Sequence, residues 1–123
     1  MTGASVRKMN LAEQFATFDE QWAPRVAARL NGQEMKLAKL QGDFIWHRHD
    51  DADEMFLVHR GSLRLEFTDH VLRLEPGDFV VVPRGVDHRP CAEQEVELIL
   101  FEPAGTVNTG NVRSERTKEP VPL

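Results

Sequence analysis

The stretch HRHDDADE, His47 to Glu54, decides the reading of this 123-residue chain. His47 and His49 stand two residues apart in Asp43–Asp50, which reads as a strand. The period of a strand puts both imidazoles on one face, within reach of a single ion. Glu54 follows five residues after His49, past the acidic loop Asp50-Asp51-Ala52-Asp53. It opens the next strand and can be brought alongside the pair. His88 comes 34 residues after Glu54, behind a Pro/Gly turn. A fourth ligand that distant makes sense only if the intervening hairpins return the chain to the same place, as a small barrel does.

The sequence around this stretch reads as strands. Val26–Leu30 and Gln33–Leu40 flank Asn31-Gly32, the pair favoured in two-residue hairpin turns. Met55–Val58 and Leu63–Phe67 are separated by a turn at Arg60-Gly61-Ser62, and Leu63, Leu65 and Phe67 alternate with Arg64 and Glu66. Val71–Leu74, Phe79–Val82 and Val96–Phe101 follow, with turns at Pro76-Gly77-Asp78, Pro83-Arg84-Gly85 and Glu93–Glu95. Short strands at this spacing predict an all-β sandwich or barrel, and the absence of room for crossover helices predicts antiparallel sheets. Before them, Asn10 and Glu13 form a capping box, and Leu11, Phe15, Phe18 and Trp22 share one helical face up to Pro24. The chain therefore divides into a helical segment 1–24, a barrel 25–104 and a polar tail or arm 105–123.

The chemistry-bearing residues resemble the cupin family. The first stretch reads H-x-H-x4-E-x6-G through His47, His49, Glu54 and Gly61, and the second G-x5-P-x-G-x2-H through Gly77, Pro83, Gly85 and His88. Gly42 lies one position nearer to His47 than the common family pattern has it, and Ala92 stands where many members carry Asn. The resemblance implies a jelly-roll β-barrel of two antiparallel sheets. It also implies one divalent transition metal inside, held by His47, His49, Glu54 and His88. Three imidazoles and one carboxylate suit Fe, Mn, Ni, Cu or Zn. Ile45, Phe56 and Val58 share the ligands' parity and are expected to line the cavity. Leu63, Leu65, Leu72, Leu74, Val80 and Val82 line it too or fill the closed end. Lys39 and Arg48 are expected at exposed strand edges, His59 and His70 on the surface, and Cys91 has no assigned role.

Small cupins with this ligand set include dioxygenases, isomerases and lyases acting on small molecules. The chain has no tyrosine, against the thiol dioxygenase arrangement, and no evident inward Lys/Arg cluster, against a phosphosugar isomerase. The reading leans to oxidative or lyase chemistry, with a non-catalytic sensor or storage module as the alternative. The family also implies a homodimer, with the N-terminal segment and the tail free to reach across.

Composition bounds these readings. A net charge of −5 and no long Lys/Arg run speak against nucleic-acid and anionic-membrane partners. The longest apolar runs, Phe79–Val82 among them, are four residues and far too short to span a membrane, and the first ten residues lack a signal-peptide core. A cytoplasmic location is expected. The single cysteine excludes an internal disulfide.

Overall fold

The computed structural model describes residues 6–123; residues 1–5 of the expected helical segment lie outside the described residues. The elements are α1 (Leu11–Phe15), β1 (Arg25–Leu30), β2 (Gln33–Asp43), β3 (Glu54–Arg60), β4 (Leu63–Phe67), β5 (Val71–Leu74), β6 (Phe79–Val82), β7 (His88–Pro103) and β8 (Val121–Pro122). Asn10 caps α1 by accepting from the Glu13 amide at 3.0 Å. The helix is shorter than its periodicity suggests. It stops after Phe15, and Trp22 adopts a left-handed φ of 59°, so the chain turns back onto β2 and cannot continue as helix.

β1 and β2 form the expected hairpin, with Asn31 and Gly32 both at positive φ, 52° and 78°. β7 is the spine of the sheet. One edge pairs along β2 from Gln33↔Pro103 to Asp43↔Cys91. The other edge pairs with β4 near its start and with β3 near its end. The sheet path runs β5-β4-β7-β2-β1-β8, with β3 and β6 branching from β7; it wraps without closing. All named pairings are antiparallel except the two-residue β1–β8 pair.

Glu93–Glu95 is not a turn: β7 runs straight through it, with those side chains exposed on the span between its β4 and β3 partners. Of the tail or arm open for residues 105–123, the structure has an arm. It folds back on its own barrel, burying Thr109 completely and adding β8 to β1.

The core sits between the sheet layers, around Ala38, Leu40, Phe56, Val58, Leu63, Leu65, Leu74, Val82, Val96, Leu98 and Leu100. A second cluster under α1 joins Phe15 and Phe18 to Leu37 and Ile99. β2 is thus covered on both faces, so it reads as a continuous buried run from Lys36 to Leu40. This corrects the expectation for Lys39. It is buried, with Nζ donating to the Phe18 carbonyl at 2.6 Å and lying 5.1 Å from the Phe18 ring centre. His59 also differs from expectation: it is half-buried and stacked on Phe15 at 5.4 Å, whereas His70 is exposed.

Candidate metal centre

The segment between β2 and β3 is irregular, not the strand that its alternation predicts. Each residue of the ligand-bearing triplet is nevertheless held by a different partner. His47 exchanges backbone hydrogen bonds with His88, at 3.1 and 2.9 Å. Arg48 is held by Asn111, and the His49 carbonyl accepts from the Gly85 amide at 2.8 Å. Glu54 opens β3 opposite Val82, and His88 opens β7.

These placements bring His47, His49, Glu54 and His88 together. All four are buried, and one ligand atom from each lies within 4.8 Å of all the others. His49 Nε2 and His88 Nε2 are 3.3 and 3.4 Å from Glu54 Oε1. The tautomers of two rings follow from their neighbours. A carbonyl can only accept, so His47 Nδ1–H donates to Ile45 O and His88 Nδ1–H to Val86 O, each at 2.9 Å. Both rings therefore turn an Nε2 lone pair toward the cluster.

Among the described residues, His49 Nε2, Glu54 Oε1 and His88 Nε2 are buried with no hydrogen-bond partner. The His88 Nε2 lone pair meets the Glu54 carboxylate in a buried space, which is unfavourable unless a proton or cation lies between them. Burial, reinforced by the nearby His88, pushes the His47 pKa down from 6.5 to about 4, so its ring is the neutral, metal-competent form. Burial alone would raise the Glu54 carboxyl, but Glu102, His49 and His88 outweigh it and hold Glu54 well below the usual carboxylate range. A mixed nitrogen and oxygen donor set in this state fits a divalent transition metal.

Two spaces adjoin the cluster. A small apolar cavity of about 40 Å³ lies beside His47 and Glu54, bounded by Trp22, Phe44, Phe56, Leu98, Leu100 and Asn108, among others. Phe56 lines it. Ile45 and Val58 do not: Ile45 is half-buried outside it, and Val58 packs within the main core. Phe44 takes the place expected of Ile45, stacked on Trp22 at 4.6 Å and edge-on to His47 at 5.4 Å. On the other side, a polar cleft of about 430 Å³ runs along His49. It lies between Asp50–Ala52 and the strap formed by Pro103–Val107 with Gly110 and Asn111. Arg48 is half-buried, less open than expected of a strand edge, and pairs with Asp50 at 2.7 Å.

Sequence reasoning missed a buried charge group beneath the centre. Lys36 Nζ donates to Glu102 Oε1 at 2.9 Å and to the Thr106 carbonyl at 3.1 Å, and Lys36 and Glu102 are both fully buried. Burial and the charge of Glu54 push the Glu102 carboxyl well above its ordinary range, against the pull of Lys36. The signal was present in the alternation. Lys36 shares the inward parity of Ala38 and Leu40, and Glu102 that of Leu98 and Leu100.

The cupin-domain family model matches residues 33–102, more than half of the chain. The chain belongs to the cupin family. A crystal structure of a cupin-2 domain-containing protein from Shewanella frigidimarina is 40% identical and superposes with a TM-score of 0.76, covering 77% of this chain and 93% of that one. The YdbB protein of Bacillus subtilis (strain 168) is 35% identical over 61% of this chain and 76% of its own length. A protein of Saccharolobus solfataricus whose name proposes a dioxygenase is 28% identical over 47% of this chain, a match to only 15% of its own length. The cupin family commonly binds metal, and in this member the buried His47, His49, Glu54 and His88 could hold one.

Proposed function

We propose that this cupin is a metalloenzyme with one divalent transition ion, Fe, Mn, Ni, Zn or Cu, acting on a small neutral organic molecule by dioxygenase, lyase or isomerase chemistry. The observation that carries the proposal is the meeting of His49 Nε2, Glu54 Oε1 and His88 Nε2 without partners beside a neutral His47. Nothing in the packing of the barrel needs those groups; a bound cation explains all of them. When bound, such an ion supplies a Lewis acid for an oxygen-bearing substrate and, for a redox-active metal, chemistry with O₂.

The chain's own residues do the rest. Ile45 and Val86 carbonyls orient the His47 and His88 rings, and Glu54 supplies the charge of the donor set. Phe44, Phe56 and Trp22 keep the inner face apolar. That inner cavity has room for about three or four water-sized molecules at roughly 10–15 Å³ each and not for an organic substrate. The cleft along His49 has the volume of an ordinary ligand site. Its lining holds Asp50, Asp51, Asn111 and Thr106 and no Lys or Arg, which suits uncharged, oxygen-bearing ligands over phosphates. The similarity to the Saccharolobus protein supports oxidative chemistry ahead of the other two classes.

The test is elemental analysis of protein purified without a His-tag, followed by oxygen-electrode and product assays with enols, diketones and flavonols under air. One metal per chain and turnover of a panel member are expected. A metal content near zero that added ions do not restore would refute the metal reading. Silence across the panel with the native metal loaded would refute the catalytic one.

A further inference from the structure

The strap that follows β7 lies beyond the matched cupin domain, yet it touches the ligand triplet at its centre. Arg48 lies between His47 and His49. Its amide donates to Asn111 Oδ1 at 2.8 Å, and its carbonyl accepts from the Asn111 amide at 2.9 Å. Asn111 thus pairs with Arg48 as a one-residue strand would, using its side-chain oxygen as the second acceptor. Gly110, at φ 56°, presses so closely that a Cβ there would collide with the Arg48 carbonyl oxygen and come within 3.3 Å of His47 Cδ2. The strap is itself fixed. Thr109 is fully buried and bonded to Thr117 at 2.7 Å, Asn108 is bonded to Arg116 and Lys118, and Lys36 anchors Thr106.

We propose that Asn111, seated by Gly110, is a positioning residue that sets the spacing of His47 and His49 and so tunes the metal affinity of the centre. The inference rests on the metal reading above. The segment carrying both ligands has no continuous ladder of its own, and His47 is paired to His88 on one side only. Arg48 is the residue whose movement would rotate both imidazoles at once, and Asn111 occupies both of its backbone groups. Gly110 and Asn111 also wall the cleft beside His49, so a molecule seated there touches the same clamp.

Asn111 is exposed, so the barrel should survive its replacement. The experiment uses the full chain as wild type, Asn111→Ala and Asn111→Asp, the last retaining an acceptor for the Arg48 amide. Cobalt(II) is the probe, read by its visible absorption and by titration against a competing chelator. Amide hydrogen exchange at Arg48 is measured in the metal-free proteins. Asn111→Ala should weaken cobalt binding about tenfold or more and change the shape of the cobalt spectrum, and Asn111→Asp should recover most of both. In the metal-free state Arg48 exchange should rise about tenfold in Asn111→Ala and not in Asn111→Asp, the order of effect of one lost hydrogen bond. Unchanged affinity and spectrum in Asn111→Ala would overturn the proposal. So would a weakening that only follows a general fall in metal-free melting temperature, with the spectrum's shape intact. If the wild type takes up no cobalt or other metal, the metal reading falls and the clamp is judged on exchange alone: a rise at Arg48 restored by Asn111→Asp sustains it, and no rise overturns it.

Discussion

Replacing Gly110 by Ala tests the packing of the strap against the ligand segment. Two costs add. A non-glycine residue held at φ 56° pays about 1–2 kcal/mol for the left-handed backbone. The new methyl then meets the Arg48 carbonyl, with Arg48 C at 2.9 Å and His47 Cδ2 at 3.3 Å, and neither neighbour is the free end of a flexible side chain. Overpacking of that kind costs about 1–3 kcal/mol. Against these stands a gain of about 0.4–1 kcal/mol from the stiffer unfolded chain. The net expectation is about 1–5 kcal/mol, centred near 3. Gly105→Ala is the internal control. It lies on the same strap at φ 88° with nothing within 4 Å of the place its methyl would take, so it carries the backbone cost without the collision and should lose about 1 kcal/mol. Equilibrium urea unfolding of both variants after chelator treatment gives the two numbers. Should the strap lift away in preference to straining, the loss is capped at the free energy of docking it, and the m-value falls because less surface is buried. A Gly110→Ala variant no less stable than Gly105→Ala, with an unchanged m-value, would refute the close packing of the strap on Arg48.

Metal-free protein should lose stability as pH falls. His47 titrates at about 4 in the fold and 6.5 when unfolded, so the unfolded chain binds the extra proton between those values. The stability is complete above pH 6.5 and falls by about 3 kcal/mol by pH 4, readable from urea midpoints across that window. Glu102→Ala removes the buried acceptor of the Lys36 ammonium, leaving Glu34 at 3.8 Å as its nearest carboxylate, and should cost about 1–3 kcal/mol in the same assay. Adding the native metal at a hundred times its dissociation constant should stabilise by about 2.7 kcal/mol and raise the melting temperature by roughly 10 °C. An equal rise in a His88→Ala variant would count against the assigned ligands. Light scattering at micromolar concentration is expected to give a homodimer, twice the 14.0 kDa chain mass; a monomer would remove the dimer that the family resemblance implies.

The hairpin at Asn31-Gly32 and the strands Leu63–Phe67, Val71–Leu74 and Phe79–Val82 were legible because turn chemistry and period-2 alternation act over a few residues. The convergence of His47, His49, Glu54 and His88 was legible through the motif spacing, not through periodicity. Alternation carried past Asp43 assumes a strand, and the chain there follows contacts with His88, Gly85 and Asn111 instead. The pairing of β2 with β7 also slips between Leu40 and Gly42, which breaks the parity count from the preceding strand. Ile45 fails to share the face of His47 because the chain between them is not a strand, and Phe44 faces the cavity in its place. The burial of Lys39 depends on α1 lying over β2, a long-range contact that no local pattern encodes.

The buried charges form a single electrostatic group with the ligands. Lys36, Glu34, Glu54 and Glu102 are all buried; Arg29 pairs with Glu34 at 2.9 Å, which leaves Lys36 as the cation for the two carboxyl groups of Glu54 and Glu102. Without an ion, one of the two carboxyl groups must keep its proton, and the balance falls on Glu102, further from the imidazoles and raised by the charge of Glu54. A divalent ion on Glu54 would neutralise the charge that holds this proton, and the Glu102 carboxyl would then feel Lys36 more and Glu54 less. Metal binding should therefore lower the Glu102 pKa and release a proton beyond any displaced from the ligands themselves. Calorimetric titration of metal in two buffers of different ionisation enthalpy counts those protons. The count should fall in Glu102→Gln, and an equal count in wild type and variant would separate Glu102 from the centre.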